Sequence, residues 1–533
     1  MIATLLTRAD AALYQSPLAG KFISTRSFST RVAVKTNEYD VVIVGAGVIG
    51  SSTALHLSKK LASKKTPTRI LVVDRRSEIA AEQSSKSWGF VRVQGRDYRE
   101  IPLMLEARDF WKNLGAEVQW QQTGHIALYD RADAQKAGRV RNWAEYAIQH
   151  FGVKYEILNE GTTRQETQDA RDELHKLLPT LRNPGQYGAC FTPEDGNIDP
   201  RLGTEALAKR AQSGGASSSC SVEFRLNTEV QGVSQDHNAR ISLKLGTTPT
   251  ATERITAKSL VIATAGWAPE FLRANKLPTY PSLRLHASAG ELMMKNTDNL
   301  KSETDHPTVW YHGLSFRKHK HIASSPSQNK SAASSSFTFT FADGGAAEEH
   351  DFGLESVLYG WRFLPHLKDF YSQTNLKFRP ESFPSPRIDK CPDANEKRLE
   401  KAVAKYRNMF GVLHGSTSGA QTPPVIEMSK SWAGWIDITP DMIPVIDYVP
   451  TKEDYRKNTT SNIVISSGYS GHGLGLAPAA GRLTADLVVA SLMPTGTPDE
   501  MESLNVEKVK EEAYPFRFSR FQEQWFHSIQ SLV

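Results

Sequence analysis

Cysteine is scarce in this sequence. The 533 residues include only three, Cys190, Cys220 and Cys391, at wide spacing. This spacing excludes a disulfide framework and the paired-cysteine motifs that bind metals or exchange disulfides. The sequence therefore predicts no metal site, and its cysteine content suits a reducing compartment.

Long apolar runs are missing as well. A membrane-spanning helix needs about 20 predominantly apolar residues, and no uncharged apolar run of that kind occurs, so the sequence predicts no transmembrane segment. With 39% hydrophobic and 23% charged residues, the composition is typical of a globular protein. The chain is longer than the ~250–300 residues at which one hydrophobic core stops growing, which predicts two lobes.

An excess of one charge sign is nearly absent once the first 36 residues are set aside. Those residues hold five basic side chains against a single acid, Asp10, together with nine serines or threonines. This composition is typical of a mitochondrial transit peptide, and the run Arg26–Ser29 resembles the pattern that matrix peptidases cleave. We expect import into the mitochondrial matrix, with a disordered tail or a plastid address as the alternatives. The remaining formal charge of +2 does not support nucleic-acid binding.

Four short apolar runs predict β-strands: Asp40–Val44, Arg69–Val73, Ser259–Thr264 and Asn462–Ser466. A helix-length segment, Val48–Leu61, separates the first two runs, and a second predicted helix, Ala477–Leu492, follows the fourth. The order of strand, helix and strand predicts an α/β fold of the Rossmann type. We expect strands from distant parts of the chain to join in one parallel sheet.

Gly45, Gly47 and Gly50 form the motif G-A-G-V-I-G between the first strand and the first helix. The first glycine permits a tight turn, the second lets the backbone approach a pyrophosphate, and the third allows close helix packing. The helix N-terminus favours the negative charge. Asp74 follows the second strand, 24 residues after Gly50, where it is placed to bind a ribose hydroxyl. The motif predicts a dinucleotide site but does not distinguish NAD from FAD.

Four further blocks distinguish the cofactor. They are Ser84–Trp111, Ala265–Trp267, Trp432–Ile446 and Gly468–Gly481. Together these blocks resemble the D-amino-acid oxidase and sarcosine oxidase superfamily of FAD-dependent oxidoreductases, which includes glycine oxidase and D-amino-acid dehydrogenase. The resemblance covers roughly residues 38–490, and it is weakest over residues 300–425, which carry insertions.

The resemblance implies an α/β fold in which a discontinuous, Rossmann-type FAD-binding domain is joined to an α+β substrate domain with an antiparallel sheet. The predicted FAD-binding domain consists of residues 38–100, 187–270 and 430–495. The predicted substrate domain consists of residues 101–186 and 271–429, with polar insertions, and residues 496–533 form a C-terminal tail.

The resemblance also implies which residues bind FAD. In the family, the block matching Gly468–Gly473 lines the flavin ring, where small residues let backbone N–H groups and a helix start face the cofactor. A tight loop at a helix start is the alternative. Val230 matches a position whose backbone contacts adenine, although a core valine would look the same. The predicted FAD-binding residues are Gly45, Ala46, Gly47, Val48, Ile49, Gly50, Asp74, Arg75, Ser84, Ser85, Val230, Ala265, Gly266, Trp267, Gly468, Tyr469, Ser470, Gly471, His472, Gly473 and Leu474.

Two departures from relatives predict that FAD is bound noncovalently. Gly434 lies at or next to the place of the flavin-linking cysteine of monomeric sarcosine oxidases. Gly89 stands where relatives similar to dimethylglycine dehydrogenase have a flavin-linking histidine. A third departure, Gly475 in place of a carboxylate-binding lysine, weakens the case for sarcosine as the substrate.

Three residues are predicted to take part in catalysis: Arg92, His312 and His472. A guanidinium offers a planar, two-pronged donor to a substrate carboxylate, and the resemblance points to Arg92, with Gln94 nearby and Arg96 as the next candidate. A surface arginine or one that binds the flavin phosphate is the alternative for Arg92. The two histidines are expected as polar groups near the flavin, and a structural role is the alternative for each.

The resemblance implies an enzyme that oxidises the C–N bond of an amino acid or secondary amine by hydride transfer to flavin N5, followed by hydrolysis of the imine. The run Val91–Asp97 is particularly similar to D-amino-acid dehydrogenase and opine oxidase subunits. The amine stays open, as does the electron acceptor among oxygen, a quinone and an electron-transfer protein. A flavoprotein assembly factor of mitochondrial complex I is the alternative function. An NAD-dependent dehydrogenase is a third, which the C-terminal flavin block disfavours.

Overall fold

The computed structural model describes residues 37–62, 67–158, 172–179, 181–215, 219–236, 240–246, 252–280, 282–295, 307–311, 314–320, 337–343, 390–391, 393–410, 425–439, 441–449, 461–492 and 505–521. The predicted transit peptide and His312 lie outside the described residues. Within the described part of the chain, two large sheets hold most of the strands.

The strands are β1 (Glu38–Val44), β2 (Thr68–Val73), β3 (Phe90–Val91), β4 (His125–Asp130), β5 (Glu156–Leu158), β6 (Tyr187–Thr192), β7 (Gly196–Asn197), β8 (Cys220–Arg225), β9 (Glu229–Gln235), β10 (Ile241–Gly246), β11 (Thr252–Ile262), β12 (Leu283–Lys295), β13 (Thr308–Tyr311), β14 (Leu314–Lys320), β15 (Phe337–Asp343), β16 (Val425–Ile438), β17 (Val445–Tyr448) and β18 (Ile463–Ser467).

The α-helices are α1 (Val48–Leu61), α2 (Gln83–Lys86), α3 (Ile101–Leu114), α4 (Ala134–Phe151), α5 (Pro200–Gly215), α6 (Ala268–Ala274), α7 (Glu396–Phe410), α8 (Gly473–Leu492) and α9 (Val506–Ala513), with a further helical segment at residues 172–177. Among these described helices, none combines the length and the apolar character needed to cross a bilayer.

The first sheet has a parallel centre in the order β18, β11, β1, β2, β8. The antiparallel strand β17 extends one edge, and β9 and β10 form a hairpin that pairs with the first half of β11. The four strands predicted from the sequence are confirmed as neighbours in this sheet. They meet although they come from distant parts of the chain.

Cores on both faces of this sheet explain why its central strands are apolar throughout. Side chains alternate between the two faces along a strand. Val41 and Ile43 of β1 join the core that contains α1, α3 and α8, whereas Val42 and Val44 join the core that contains β10 and α6. Because fully burying each such side chain contributes roughly 1.5–3 kcal/mol, a strand covered on both faces needs an apolar residue at nearly every position.

Both predicted helices of the nucleotide-binding fold are present. Helix α1 has the predicted bounds, and it packs beside α8 and α5. Helix α8 begins at Gly473, four residues before the predicted start, because the end of the glycine-rich block forms its first turn. Helix α8 therefore begins inside the block Gly468–Gly481, and the backbone N–H groups of its first turn lie next to the loop that precedes it.

The second sheet joins its strands in the order β16, β12, β15, β14, β13, β4, β6, β5. Each neighbouring pair is antiparallel except β13 and β4, which are parallel. This sheet matches the predicted antiparallel sheet. Strand β6 and most of β16 come from ranges assigned above to the FAD-binding domain, and they lie in the second sheet because β6 pairs with β4 and β5, and β16 pairs with β12.

Candidate active site

The G-A-G-V-I-G turn connects β1 to α1, and its glycines serve different steric purposes. Gly45 has a φ of +113°, and a Cβ there would overlap the carbonyl of Ala263. A Cβ on Gly50 would overlap the carbonyl oxygen of Gly45, so only glycine lets α1 pack against the turn. A Cβ on Gly47, by contrast, would meet only the Ser84 hydroxyl, at 3.0 Å. The backbone at Gly47 is therefore accessible to a ligand.

Asp74 lies beside this turn at the end of β2. Its carboxylate accepts the backbone N–H groups of Ala46, at 2.7 Å, and Arg76, at 2.8 Å. Burial raises the pKa of Asp74, and both hydrogen bonds and the nearby charges of Arg75 and Arg76 oppose that rise. The hydrogen bonds fix the orientation of the carboxylate, which a ribose-binding acid requires.

A cavity of about 790 Å³ begins at the glycine turn and reaches the start of β9. The guanidinium of Arg75 lies 5.1 Å from the ring centre of Trp267 on its wall. This cavity of about 790 Å³ is called here the larger cavity. The predicted residues that line it are Gly45, Gly47, Asp74, Arg75, Ser84, Val230, Ala265 and Trp267.

A second cavity, of about 170 Å³, adjoins the first and is called here the smaller cavity. The residues that line both cavities are Gly47, Gln83, Ser84, Ala263 and Ala265. The Ser84 hydroxyl oxygen accepts the N–H of Val48 at 2.9 Å, at the start of α1. The predicted residues that line the smaller cavity are Gly47, Val48, Ile49, Ser84, Arg92, Ala265, Tyr469, Ser470, Gly471, His472, Gly473 and Leu474.

The loop from Gly468 to Gly473, called here the glycine loop, contains three residues with positive φ: Gly468 at +71°, Ser470 at +49° and Gly471 at +87°. Asp437 holds this conformation. Its carbonyl accepts the N–H of Ser470 at 2.8 Å, and its carboxylate accepts the N–H of Gly468 at 3.1 Å. Tyr280 donates its hydroxyl to the same carboxylate at 2.9 Å. Asp437 therefore positions the loop from the neighbouring strand β16.

His472 is almost fully buried within the glycine loop. Its Nε2 lies 2.8 Å from Oε1 of Glu100, and the two side chains are only 4% and 2% exposed. Burial lowers the pKa of His472, and the charges of Arg96 and Arg92 lower it further, whereas Glu100 raises it. The result is a neutral imidazole at neutral pH on the wall of the smaller cavity.

Arg92 and Arg96 follow β3, and both line the smaller cavity but not the larger one. They are 6% and 7% exposed, so Arg92 is not a surface arginine. Arg92 Nη1 donates to the carbonyl of Gln94 at 3.0 Å, and Arg96 Nε donates to the carbonyl of Arg92 at 3.3 Å. Burial lowers the pKa of Arg96 to about 10, against the opposing charges of Glu100 and Asp195. Arg96 therefore remains a cation at neutral pH.

Several predicted residues support the cavity walls without lining them. The N–H of Gly266 donates to Gln83 Oε1 at 3.0 Å, and the hydroxyl of Ser85 donates to the carbonyl of Glu82 at 3.1 Å. His312 lies outside the described residues. The predicted residues that line neither cavity are Ala46, Gly50, Ser85, Gly266 and Gly468.

Three residues of the site were missed by the sequence reasoning: Gln83, Glu100 and Asp437. Gln83 lines both cavities and also donates to the carbonyl of Trp435. Glu100 is 372 residues from its partner His472, so no local pattern signals the pair. Asp437 lies inside the block Trp432–Ile446, which is one of the four blocks that resemble the family. Its position in that block is the only sequence feature that could have indicated Asp437 as a site residue.

The family model described as FAD dependent oxidoreductase matches residues 40–487. The chain belongs to this family. The predicted family, enzyme class and FAD cofactor are thereby confirmed, and the NAD-dependent alternative is wrong.

Curated relatives are similar to this oxidoreductase over part of their length. The chain is 27% identical over 262 residues to 4-methylaminobutanoate oxidase (formaldehyde-forming) of Paenarthrobacter nicotinovorans, which covers 47% of the chain and 27% of that protein. It is 25% identical over 248 residues to N-methyl-L-tryptophan oxidase of Yersinia pestis (strain Pestoides F), which covers 46% of the chain and 57% of that protein. The matches span about a quarter of the first relative and just over half of the second.

Solved structures share the fold of this oxidoreductase over most of the chain. L-amino acid deaminase from Proteus vulgaris superimposes with a TM-score of 0.61 at 19% identity, covering 91% of this chain and 97% of that one. Glycine oxidase from Geobacillus kaustophilus superimposes with a TM-score of 0.58 at 16% identity, covering 92% and 100%. These likenesses confirm the predicted fold class.

The residues of the two cavities fit FAD. In the larger cavity, the accessible backbone at Gly47, the helix start and the fixed carboxylate of Asp74 suit the phosphates and ribose of the dinucleotide. In the smaller cavity, Gly471 and Gly473 of the glycine loop let the backbone approach a ligand, which suits the flat flavin ring. Because the cavities adjoin, one extended cofactor would occupy both.

Proposed function

We propose that this oxidoreductase oxidises the C–N bond of an amino acid or secondary amine. The observation that carries the proposal is that two buried arginines, Arg92 and Arg96, line the same cavity as the glycine loop. The residues that line the two cavities would hold FAD, which would supply the hydride acceptor for the carbon next to the substrate nitrogen, and water would hydrolyse the resulting imine.

Arg92 is the residue we assign to the substrate carboxylate. A guanidinium binds a carboxylate through two parallel hydrogen bonds, and the Arg92 side chain is oriented by its bond to the carbonyl of Gln94. Asp195 fixes the backbone that carries it, because the carboxylate of Asp195 accepts the N–H groups of Val93, at 2.9 Å, and Gln94, at 3.2 Å. An anchored guanidinium would orient the substrate carbon for reaction.

The remaining walls of the smaller cavity are largely apolar. Phe90, Trp435, Ile436, Tyr469 and Leu474 contribute to its lining. Apolar walls exclude water and strengthen the interaction between a bound carboxylate and the arginines. They also favour contact with the hydrocarbon part of an amino acid.

The names of the two curated relatives support the same substrate class. One is named for 4-methylaminobutanoate and the other for N-methyl-L-tryptophan. Both named substrates carry a methylated amine together with a carboxylate. This is the combination that an arginine-lined cavity beside the flavin would accept.

Product analysis tests the proposed function. The purified flavoprotein is incubated with D-amino acids, N-methylglycines and proline, each with oxygen or an artificial electron acceptor. We expect one class to yield a carbonyl compound together with ammonia or a primary amine; for proline, whose ring holds both groups, the product is a single amino carbonyl compound. If no member yields these products while the flavin stays bound, the proposal is wrong. Co-purification with respiratory-chain subunits would then favour the assembly-factor function.

We also propose that FAD is bound noncovalently. Gly434, at or next to the place of the flavin-linking cysteine of monomeric sarcosine oxidases, lines the smaller cavity. Cys391 is buried, and burial together with the charge of Glu82 raises the pKa of its thiol to about 12, so the reactive thiolate is scarce at neutral pH. Acid denaturation is expected to release all flavin into the supernatant. Flavin absorbance retained on the denatured chain would contradict this.

Residues 1–36 are proposed to direct import into the mitochondrial matrix. The support is their basic, serine-rich and acid-poor composition. A fusion of residues 1–36 to a fluorescent protein is expected to accumulate in mitochondria, and replacement of its five basic residues by glutamine is expected to abolish accumulation. Cytosolic or plastid fluorescence of the unaltered fusion would contradict the proposal.

A further inference from the structure

Glu100 and His472 form a buried acid–base pair on the wall of the smaller cavity. Glu100 precedes α3 and His472 belongs to the glycine loop, so the pair joins two distant segments at 2.8 Å. An ionised carboxylate only accepts hydrogen bonds, and it therefore holds the neutral imidazole with its proton on Nε2. Nδ1 is then the hydrogen-bond acceptor of a side chain that lines the cavity.

We propose that the Glu100–His472 pair takes up the proton of the substrate's ammonium group. This inference rests on the proposed function, because an amine must carry a free lone pair before the neighbouring carbon can lose a hydride. In the step, one N–H bond of the ammonium breaks and an N–H bond to His472 Nδ1 forms, with no change in electron count. The imidazolium proton returns to water when the product leaves.

Glu100 assists this proton transfer by opposing the two arginines, which disfavour a positive charge on His472. The charged groups that face His472 are Arg92 and Arg96, after β3, and Glu100 itself. Without Glu100, a protonated His472 would be a third cation beside two buried arginines. Tyr469 also faces Glu100, and burial raises its pKa, so it stays neutral. Glu100 is therefore the group that stabilises the imidazolium.

The charge balance around the pair also favours a substrate with a carboxylate. Three buried arginines, Arg92, Arg96 and Arg108, are accompanied by three carboxylates, those of Glu100, Asp195 and Glu194. A zwitterionic amino acid adds one charge of each sign. After the proton moves, the substrate carboxylate balances the imidazolium, and the buried cluster stays neutral. An amine without a carboxylate would leave an uncompensated positive charge there, which is costly in a buried site.

The pH dependence of flavin bleaching tests the role of Glu100. Glu100→Gln keeps the size of the side chain and a hydrogen bond but removes the charge. For the wild type, the anaerobic bleaching rate at saturating substrate is expected to change little between pH 6.5 and 9. For the variant, the rate is expected to fall about tenfold for each pH unit below the pKa of the bound ammonium. It recovers at high pH, where the substrate enters as a neutral amine, and Glu100→Asp restores part of the rate at low pH.

Acetate binding provides a control that does not depend on turnover. Acetate perturbs the flavin absorbance when it occupies a carboxylate subsite beside the flavin, and Glu100→Gln is expected to bind it at least as tightly as the wild type, because one negative charge is gone. If Glu100→Gln follows the wild-type pH profile, or loses activity equally at every pH, the proposed role of the Glu100–His472 pair is wrong. The proposed function is not affected by that result. A wild-type flavin that no amine bleaches would overturn the proposed function and this role together.

Discussion

Arg520 donates two hydrogen bonds to the carboxylate of Asp441, at 2.9 and 3.2 Å. Arg520 belongs to residues 505–521, which lie beyond the residues that the family model matches.

A further hydrogen bond from Arg520 reaches the carbonyl of Ile443 at 2.6 Å, and the N–H of Phe518 donates to Asp447 at 2.8 Å. Strand β17, which contains Asp447, pairs with β18, and β18 leads into the glycine loop. The C-terminal segment therefore supports the base of that loop.

Loss of the Arg520 side chain is expected to destabilise the protein. Arg520→Gln leaves the carboxylate of Asp441, which is 10% exposed, with the more distant guanidinium of Arg99, at 3.7 Å, and the backbone N–H of Ile443, at 3.3 Å. Breaking a buried pair in this way costs about 3 kcal/mol, which would appear as a lower midpoint of urea unfolding. Lys510→Gln is the matched control, because it breaks an exposed pair with Glu507 in the same segment and should cost under about 0.5 kcal/mol. Equal effects of the two variants would contradict the support role.

The two glycines of the β1–α1 turn are expected to respond differently to alanine. Gly50→Ala places a methyl group against the Gly45 carbonyl, so it should reduce stability by about 1–3 kcal/mol or more. Gly47→Ala meets only the Ser84 hydroxyl, so the protein should fold, but the methyl group should block the approach of FAD and weaken its affinity by about tenfold or more. Circular dichroism measures folding, and fluorescence titration of the apoprotein measures FAD affinity. Unchanged FAD affinity in Gly47→Ala would show that the cofactor does not approach this turn.

Substitution of Arg92 is expected to impair substrates that carry a carboxylate. Arg92→Gln should raise the dissociation constant of the best amino acid by about 100-fold, and Arg92→Lys should recover only part of this, because lysine lacks the planar two-pronged donor. The carboxamide form of the same substrate, which has no negative charge, should be affected much less. Arg201→Gln, at an exposed arginine, serves as the control. Equal losses for the acid and its amide would place the carboxylate elsewhere.

Stability is expected to fall in mild acid because of His56, a partly buried histidine on α1. Burial lowers the pKa of His56 to about 3, and the charge of Lys59 contributes. The unfolded chain binds a proton at this histidine below pH 6.5, while the folded protein does not, so the free energy of unfolding decreases as the pH falls. Between pH 6 and 5 this contribution is about 1 kcal/mol.

His56→Gln should remove this part of the pH dependence, as measured by urea unfolding at both pH values. Thr53→Val, a buried and non-titrating change on the same helix, should lower stability equally at pH 6 and pH 5. If the unfolding free energy of His56→Gln decreases between pH 6 and 5 as much as that of the wild type, the assignment to His56 is wrong.

The sequence predicted the parts of the fold whose signal is local. The runs that became β1, β2, β11 and β18 are apolar because both faces of the sheet are covered, and this condition is visible within each run. The sequence did not predict that β6 and β16 belong to the second sheet. Their place depends on pairing with β4 and β12, which lie far along the chain and leave no local pattern.

The residues of the candidate site likewise fall into two groups, those that a local motif predicts and those that only the tertiary structure brings to the site. The glycine turn and Asp74 were predicted because the motif places them within one strand–helix–strand unit. Glu100 and Asp437 were not, because each acts on the glycine loop from another element. A buried carboxylate in a helix-start or strand position looks like an ordinary surface acid until the tertiary structure brings a histidine or an N–H group to it.

The absorbance spectrum of the purified protein, recorded during anaerobic addition of D-amino acids, N-methylglycines and proline, shows whether an amine reduces the flavin. The oxidised flavin is expected to give a band near ~450 nm. This band should bleach with one class of amine, whereas the deaminated carboxylic acid should perturb the band without bleaching it. Bleaching would establish an amine-oxidising flavoenzyme and identify its substrate class. A flavin band that no amine bleaches would contradict the proposed function.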